Sequence, residues 1–315
     1  MNKLAIIIPC YNEEECLLEV AQEIKKVLIS LQEKLKISQD SFIYFVDDGS
    51  EDRTWEIISE LHKKDSKMFK GLKFSRNFGH QNAVLAGLFY TKEKADFFVS
   101  IDADLQDDVI AIESFLDAFY NNGSEIVYGV RKKRETDTFF KKFTAKFFYK
   151  LMIFMGVKIV YNHADYRFAS KRAIESLFLF NEVNLFLRGI FPLIGFKTET
   201  VFYDRKERKF GESKYNLRKM IGFAWDGITS FSVAPLRFFV FLSFFILISS
   251  LILGVYFLIR YFIGETVTGW TSLAILILFL GSLQCLGIGI LGEYIGKIYK
   301  ETKARPRFIK DIELF

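Results

Sequence analysis

Two aspartates one residue apart, Asp102 and Asp104, follow the apolar run 97–101 and precede a helical pattern. Carboxylate oxygens in alternate positions suit Mg²⁺ or Mn²⁺ shared with a diphosphate, since these hard ions favour carboxylates together with phosphate oxygens. Such an ion offsets the charge that builds on a departing diphosphate. A lone DxD is weak, because acidic surface turns are common; its place between strand and helix gives it weight. Three more polar clusters end apolar runs: Pro9-Cys10-Tyr11-Asn12-Glu13, Asp47-Asp48-Gly49-Ser50 and Ser75-Arg76-Asn77-Phe78-Gly79-His80. One such end would be an ordinary turn. Four together describe a cleft with carboxylates for a metal and a nucleobase.

Periodicity supplies the elements that must hold these ends. Residues 4–8, 42–46, 71–74, 97–101 and 126–128 read as strands, and 14–35, 54–64, 81–90 and 109–120 as helices. The alternation implies an α/β fold with a mainly parallel sheet covered on both faces. Ligands of such sheets bind beyond the carboxyl ends of the strands, where the polar clusters lie. No GxGxxG follows the first strand, which argues against a dinucleotide site of the Rossmann kind.

Half of the 315 residues are hydrophobic and 36 are Phe, yet 26% are charged. That is too apolar for an ordinary soluble enzyme and too polar for a bundle of spans; a soluble domain joined to a few spanning helices reconciles the two. A net charge of +5 does not point to nucleic acid, and fits anionic lipid or a phosphorylated substrate as well. Cys10, Cys16 and Cys285 form no disulfide or metal framework, which suits a reducing compartment. The amino-terminal apolar run lacks the longer core and cleavage site of a signal peptide and reads as a first strand.

Residues 238–259 and 266–292 carry no charge. The shorter covers roughly 33 Å as a helix, enough for the hydrocarbon core. Eight Lys and Arg lie between Arg205 and Arg237 and six follow residue 292, whereas the intervening hairpin holds Arg260 alone. The positive-inside rule therefore places residues 1 to about 235 and the tail in the cytoplasm. The plan is a domain over 1–215, a juxtamembrane amphipathic segment over 216–236, a two-helix hairpin over 237–294 and a cytoplasmic tail over 295–315. An aromatic stripe, Phe139, Phe143, Phe147, Leu151 and Phe154, runs beside Lys142, Lys146 and Lys150. It suits either an interfacial helix or a cover for the domain's own core.

IIPCYNEEE, VDDGSEDRT, SRNFGHQNA and DADLQD resemble, in order, the motifs of family 2 glycosyltransferases with the GT-A fold. Gly129-Val130-Arg131, Asp165-Tyr166-Arg167, Gly211-Glu212-Ser213-Lys214-Tyr215 and the ending LGEYIGKIYKETKARPRF resemble the bactoprenol glucosyltransferase branch, whose close relatives are the dolichol-phosphate mannose synthases. The resemblance implies inverting transfer of a sugar from a nucleotide sugar to a polyisoprenyl phosphate, undecaprenyl or dolichyl according to the host, at the cytoplasmic face of the cell membrane. UDP-glucose is the first expected donor; UDP-GlcNAc, UDP-galactose and GDP-mannose stay open. It further implies that Pro9, Tyr11, Glu13 and Asp47 line the uridine pocket, with Asp48 sharing that task. Asp102 would meet ribose or metal, Asp104 metal and diphosphate, Gln106 the sugar or the metal shell, and Arg131 a phosphate. Arg208 and the turn holding Ser213 and Lys214 would contact or close over the diphosphate. Asp165 matches the position of the catalytic base. Asp107-Asp108 stands where relatives often have Asp-Pro, and His163-Ala164 where Gly is frequent.

Bland readings stand beside these. Asp165 could pair with Arg167 or another cation, and a phosphate monoester, already largely anionic at pH 7, needs no strong base. Asp165 is therefore expected to position the nucleophile or tune its last proton. His80 lines the cleft or merely starts a helix. The basic stretch from Arg205 to Lys219 serves topology, an arriving lipid phosphate, or both; Arg188 is a second candidate for that phosphate. Spans and an interfacial helix are compatible with a homo-oligomer, and two spans are too few for a sugar channel, so a separate flippase is expected downstream. The rivals are a processive synthase, which would need more spans and a QxxRW motif, a mannose synthase using GDP-mannose, and a silent nucleotide-sugar sensor.

Overall fold

Strands that are apolar at every position must be buried on both faces, as the middle of a parallel sheet requires. β1 (Leu4–Cys10) and β2 (Phe42–Asp47) are buried throughout and pair in parallel, with Cys10 beside Asp47. The computed structural model describes residues 1–104, 106–131, 163–183, 187–204, 228–230, 232–264 and 269–315. The expected aromatic stripe of 139–154 and the stretch holding Arg205, Arg208, Ser213 and Lys214 lie outside the described residues. Those described fall into two units, one running to Asp204 and including Arg305–Phe315, the other holding two long helices.

The first unit is an eight-stranded sheet in the order β7-β5-β6-β4-β1-β2-β3-β8. β3 (Phe69–Phe74) continues the parallel run beyond β2, and β4 (Phe97–Ser100) pairs in parallel with the other edge of β1. Strand order reverses at β1, and a crevice opens at the carboxyl ends of such a switch point. Four helices are the crossovers or cover: α1 (Leu17–Glu33), α2 (Thr54–Lys64), α3 (His80–Thr91) and α4 (Ala111–Asn122). α1 buries Leu17, Val20, Ala21, Ile24, Leu28 and Leu31, a helical stripe. α3 lies so close to the sheet that a Cβ at Gly87 would sit 2.3 Å from Ile7 Cγ2.

Past β5 (Ile126–Arg131) the topology becomes mixed. β6 (His163–Ser170) runs antiparallel between β4 and β5, and β7 (Thr198–Tyr203) pairs in parallel with β5 at the edge. α5 (Lys171–Leu177) is capped by Ser170, whose Oγ accepts from the Ala173 N–H, and α6 (Leu187–Leu193) follows. The last strand, β8 (Lys310–Leu314), covers the far edge by pairing antiparallel with β3. Phe308 stacks on Phe74 at 5.4 Å, and Phe315 meets Phe42 edge-on at 5.5 Å. Residues read as a tail from sequence thus complete the sheet.

The second unit holds α7 (Ala234–Phe262) and α8 (Trp270–Lys303). Both are long and apolar enough to cross a membrane, and neither buries its apolar window. A core helix of a water-soluble domain would bury one face; α7 instead presents Phe238, Phe241, Phe244 and Phe245 outward. At the end of this pair, the Tyr294 hydroxyl donates to the Ser232 carbonyl at 2.6 Å, and Lys297 donates to the Thr229 and Ser230 hydroxyls. α8 runs eleven residues beyond the apolar segment read from sequence, into the charged stretch ending at Lys303.

Candidate active site

Three of the four polar strand ends line a cleft of about 280 Å³ at the carboxyl edge of the sheet, with Pro9, Tyr11, Glu13, Asp48, Asn77 and His80 in its wall, and His80 links it to the fourth through Asp102 at 3.5 Å. Asp47, next to Asp48 at the end of β2, is fully buried. One Asp47 oxygen accepts from the Ser50 N–H at 3.0 Å, while Oδ2 is buried with no hydrogen-bond partner among the described residues. Burial raises its carboxyl, against the pull of Ser50. A buried acceptor left unmet is costly unless a ligand donor meets it.

Asp48 does a different job. Its oxygens accept from the Phe78 and Gly79 N–H groups at 2.6 and 2.9 Å, which fixes the loop ahead of α3. Burial raises this carboxyl too, and those two N–H groups oppose the rise. Gly49 beside it has φ +70°, and a Cβ there would come within 2.4 Å of the Arg76 carbonyl carbon. The loop after β1 is laced to the loop before α2. Asn12 Oδ1 accepts from the Glu51 N–H, the Glu13 N–H donates to Thr54 Oγ1 and the Glu14 N–H to Asp52. Sequence reading missed these supports, although Asn, Ser, Thr and Asp flanking a turn are the residues that bond to local backbone.

Cys16 joins the two sides of the cleft, its thiol reaching Glu13 Oε2 at 3.1 Å and the Ala103 carbonyl at 3.3 Å. Burial, followed by the Glu13 carboxylate, pushes the thiol up to about 12, so it keeps its proton as a donor. The acidic loop follows β4, and Asp104 Oδ1 accepts from the Gln106 N–H at 3.2 Å. Burial pushes the Asp102 carboxyl up to about 6 against the pull of His80, with Asp165, Asp107 and Asp104 adding to the rise. Among the described residues no group of three or more His, Cys, Asp and Glu is arranged to hold a metal by itself. A pair of carboxylates on one loop fits Mg²⁺ or Mn²⁺, which take few protein ligands and complete their shell with phosphate oxygens and water.

Antiparallel β6 brings in Asp165 from far along the chain. Ser100 at the end of β4 faces Arg167, and its hydroxyl donates to the Asp165 carbonyl at 2.8 Å. Arg188 on α6 grips the Asp165 carboxylate with two N–H groups, at 3.2 and 2.9 Å, and Arg167 adds a third. His80 Nε2 lies between Asp102 at 3.5 Å and Asp165 at 3.9 Å. Burial alone would raise the Asp165 carboxyl; Arg188 and then Arg167 outweigh it and hold the group well below the usual carboxylate range.

Arg131, read as a phosphate ligand, reaches Asp107 at 3.1 Å, and the Tyr203 hydroxyl donates to the same oxygen at 2.6 Å. Asp107, almost wholly buried, thereby ties the acidic loop to the ends of β5 and β7. Gln106 is buried beside it in the loop.

Residues 5–178 match the family model described as Glycosyl transferase family 2. The Bacillus subtilis (strain 168) protein described as uncharacterized glycosyltransferase YkoT is 52% identical over 312 residues, spanning 99% of this chain and 92% of its own. A bactoprenol glucosyl transferase of Shigella phage SfX is 38% identical over 309 residues, 98% of each chain. Among solved structures, mannosyl-3-phosphoglycerate synthase from Rubrobacter xylanophilus is similar with a TM-score of 0.48 at 16% identity over 71% of each chain.

Proposed function

The chain belongs to glycosyl transferase family 2, and from that premise we propose that it transfers a hexose, glucose from UDP-glucose first, to a polyisoprenyl phosphate at the cytoplasmic face of a membrane. The observation that carries this reading is one edge of one sheet bearing both an acidic loop for a diphosphate and an arginine-rich group for a second anion, in a chain with two membrane-length helices. Full-length similarity to the phage bactoprenol glucosyl transferase supports the choice of acceptor.

In this reading the nucleobase enters the cleft against Tyr11, and an imide N–H is the kind of donor that the unmet Asp47 oxygen would accept. Asp102 and Asp104 would hold Mg²⁺ or Mn²⁺. When bound, the ion stabilises negative charge on the leaving diphosphate. Asp107, locked by Arg131 and Tyr203, keeps the acidic loop in place. Arg188 takes the acceptor's phosphate beside the anomeric carbon, with Arg205 assigned from sequence to that phosphate and Arg208, Ser213 and Lys214 to the diphosphate. A phosphate oxygen attacks that carbon while the bond to the diphosphate breaks and its electron pair leaves with the nucleoside diphosphate. An acceptor carrying a second proton loses it to water. The residues supply positioning and fixed charge rather than covalent chemistry.

One in-line displacement inverts the anomeric centre. Purified product made from an α-linked donor is expected to be a β-linked sugar phosphate lipid by NMR coupling constants; an α-linked product would contradict the scheme. Use of that product beyond the membrane calls for a separate flippase.

A further inference from the structure

Resting on the acceptor reading above, we infer that Asp165 serves as the counter-ion that aims an arginine pair at the acceptor phosphate, and not as the base that takes a proton in the transfer. Both of its oxygens are already engaged. Oδ1 accepts from Arg167 Nη2 and from Arg188 Nε at 3.2 Å, and Oδ2 from Arg188 Nη2 at 2.9 Å. A general base must reach the proton it removes with a lone pair to spare; here the forks of two guanidiniums occupy the approach.

The charged groups facing Asp165 come from four elements: Arg167 on its own strand β6, Arg188 on α6, His80 at the start of α3 and Asp102 after β4. The two guanidiniums thus converge on Asp165, with the Asp102 carboxylate close by across His80. Arg167 is 2% exposed, and its Nε and Nη1 are buried without a hydrogen-bond partner among the described residues. Its charge rests on Asp165 and on the Phe191 ring, 4.7 Å away. A buried cation so placed is stable only while its counter-ion stays ionised. Arg188, about a third exposed at 31%, is the member of the pair that an arriving anion can reach.

The chemistry asks for the same division of labour. A phosphate monoester has its second pKa at about 6 and is mostly a dianion at neutral pH, so it attacks without help from a base. What it lacks is a reason to sit next to a diphosphate of like charge. The exposed part of the Arg188 guanidinium provides that reason, and Asp165, bonded to its Nε and Nη2, fixes where it points. Arg188 touches substrate in this account; Asp165 and Arg167 are positioning residues.

Steady-state rates on the full-length protein in detergent, with Mg²⁺, nucleotide sugar and undecaprenyl phosphate varied in turn, separate the two roles. Asp165→Asn and Arg188→Gln are each expected to raise the KM for the lipid phosphate about ten- to hundredfold, the worth of a lost charge-assisted hydrogen bond, with the nucleotide-sugar KM unchanged. The double variant should be no worse than the poorer single one, because both changes break the same unit. Losses that multiply, or an Asp165→Asn enzyme that loses kcat while keeping its acceptor KM, would overturn the inference. Should Asp165→Asn not fold, Arg188→Gln decides alone: an unchanged acceptor KM overturns the inference and a raised one supports it. Wild-type protein that labels no lipid phosphate would instead overturn the acceptor reading, and the inference with it.

Discussion

Asp165, Arg167 and Arg188 make the most charge-dense contact of the site, and its pH behaviour follows from the direction of one shift. The Asp165 carboxyl lies well below its ordinary value when folded, because Arg188 and Arg167 outweigh its burial. A depressed carboxylate contributes stability that is complete above the unfolded pKa, about 3.9, and is lost as pH falls through the folded value. Apart from a change near pH 6, where Asp102 loses the neighbour that helps to raise it, the stability gap between wild type and Asp165→Asn should therefore hold down to about pH 4.5 and begin to close below about 4. Denaturation of the two proteins across that range checks this; a gap that opens below about pH 4.5 would contradict it. Removing one partner of a buried pair typically costs about 3–5 kcal/mol, which sets the expected size of the plateau. Asp48 and Asp107 show a related principle, in which a carboxylate next to the chemistry is spent on holding backbone or another side chain. Motif reading gave Asp48 a share in the nucleotide and Arg131 a phosphate. In the structure Asp48 accepts from two N–H groups of the loop before α3 while also lining the cleft, and Arg131 is paired with Asp107.

At the scale of elements, legibility followed apolar continuity. β1, β2 and β4 are unbroken apolar runs ended by polar clusters, and residue pattern alone located them within a few positions. β6 was hidden because Asp165 and Arg167 interrupt it, and both are there for the site rather than the core. β7 and β8 are edge strands. β7 alternates exposed and half-buried residues, and β8, Lys310–Leu314, carries Lys, Asp and Glu in five positions, a composition that reads as solvated tail. The meeting of Asp165 with Arg188 was equally out of reach, since it depends on an antiparallel crossover between β4 and β6. The edge strand has a measurable role. Phe308 stacks on Phe74 and packs against Phe89 and Tyr90, so Phe308→Ala should destabilise the first unit by roughly 2 kcal/mol, about half the cost of a fully buried Phe. Thermal unfolding with the Phe308→Tyr variant as control checks the size; a loss below about 0.5 kcal/mol, the range of indifferent surface changes, would mean that β8 merely rests on the sheet.

For the whole molecule, the pairing of β8 with β3 constrains the path of the chain. Residues 310–314 lie in one sheet with residues 69–74, so the intervening chain must return to the side from which it left. In the proposed topology two crossings by α7 and α8 would meet this requirement, with the side richer in Lys and Arg as the cytoplasmic one. In a cysteine-free background, Gly264→Cys should react with an impermeant maleimide in intact cells while Phe315→Cys should not; labelling of both would contradict the hairpin. Pairing of β4 with β6 puts the acidic loop and the arginine pair on one edge of one sheet, as the proposed joining of two anionic substrates would require. The most direct measurement uses purified protein, Mg²⁺, undecaprenyl phosphate and labelled UDP-glucose, with label counted in the organic phase. Label in the lipid with wild type and none with Asp104→Ala is the expected result. Lipid that stays unlabelled with UDP-glucose and with every other nucleotide sugar, while the protein still binds nucleotide, would contradict the proposed transfer.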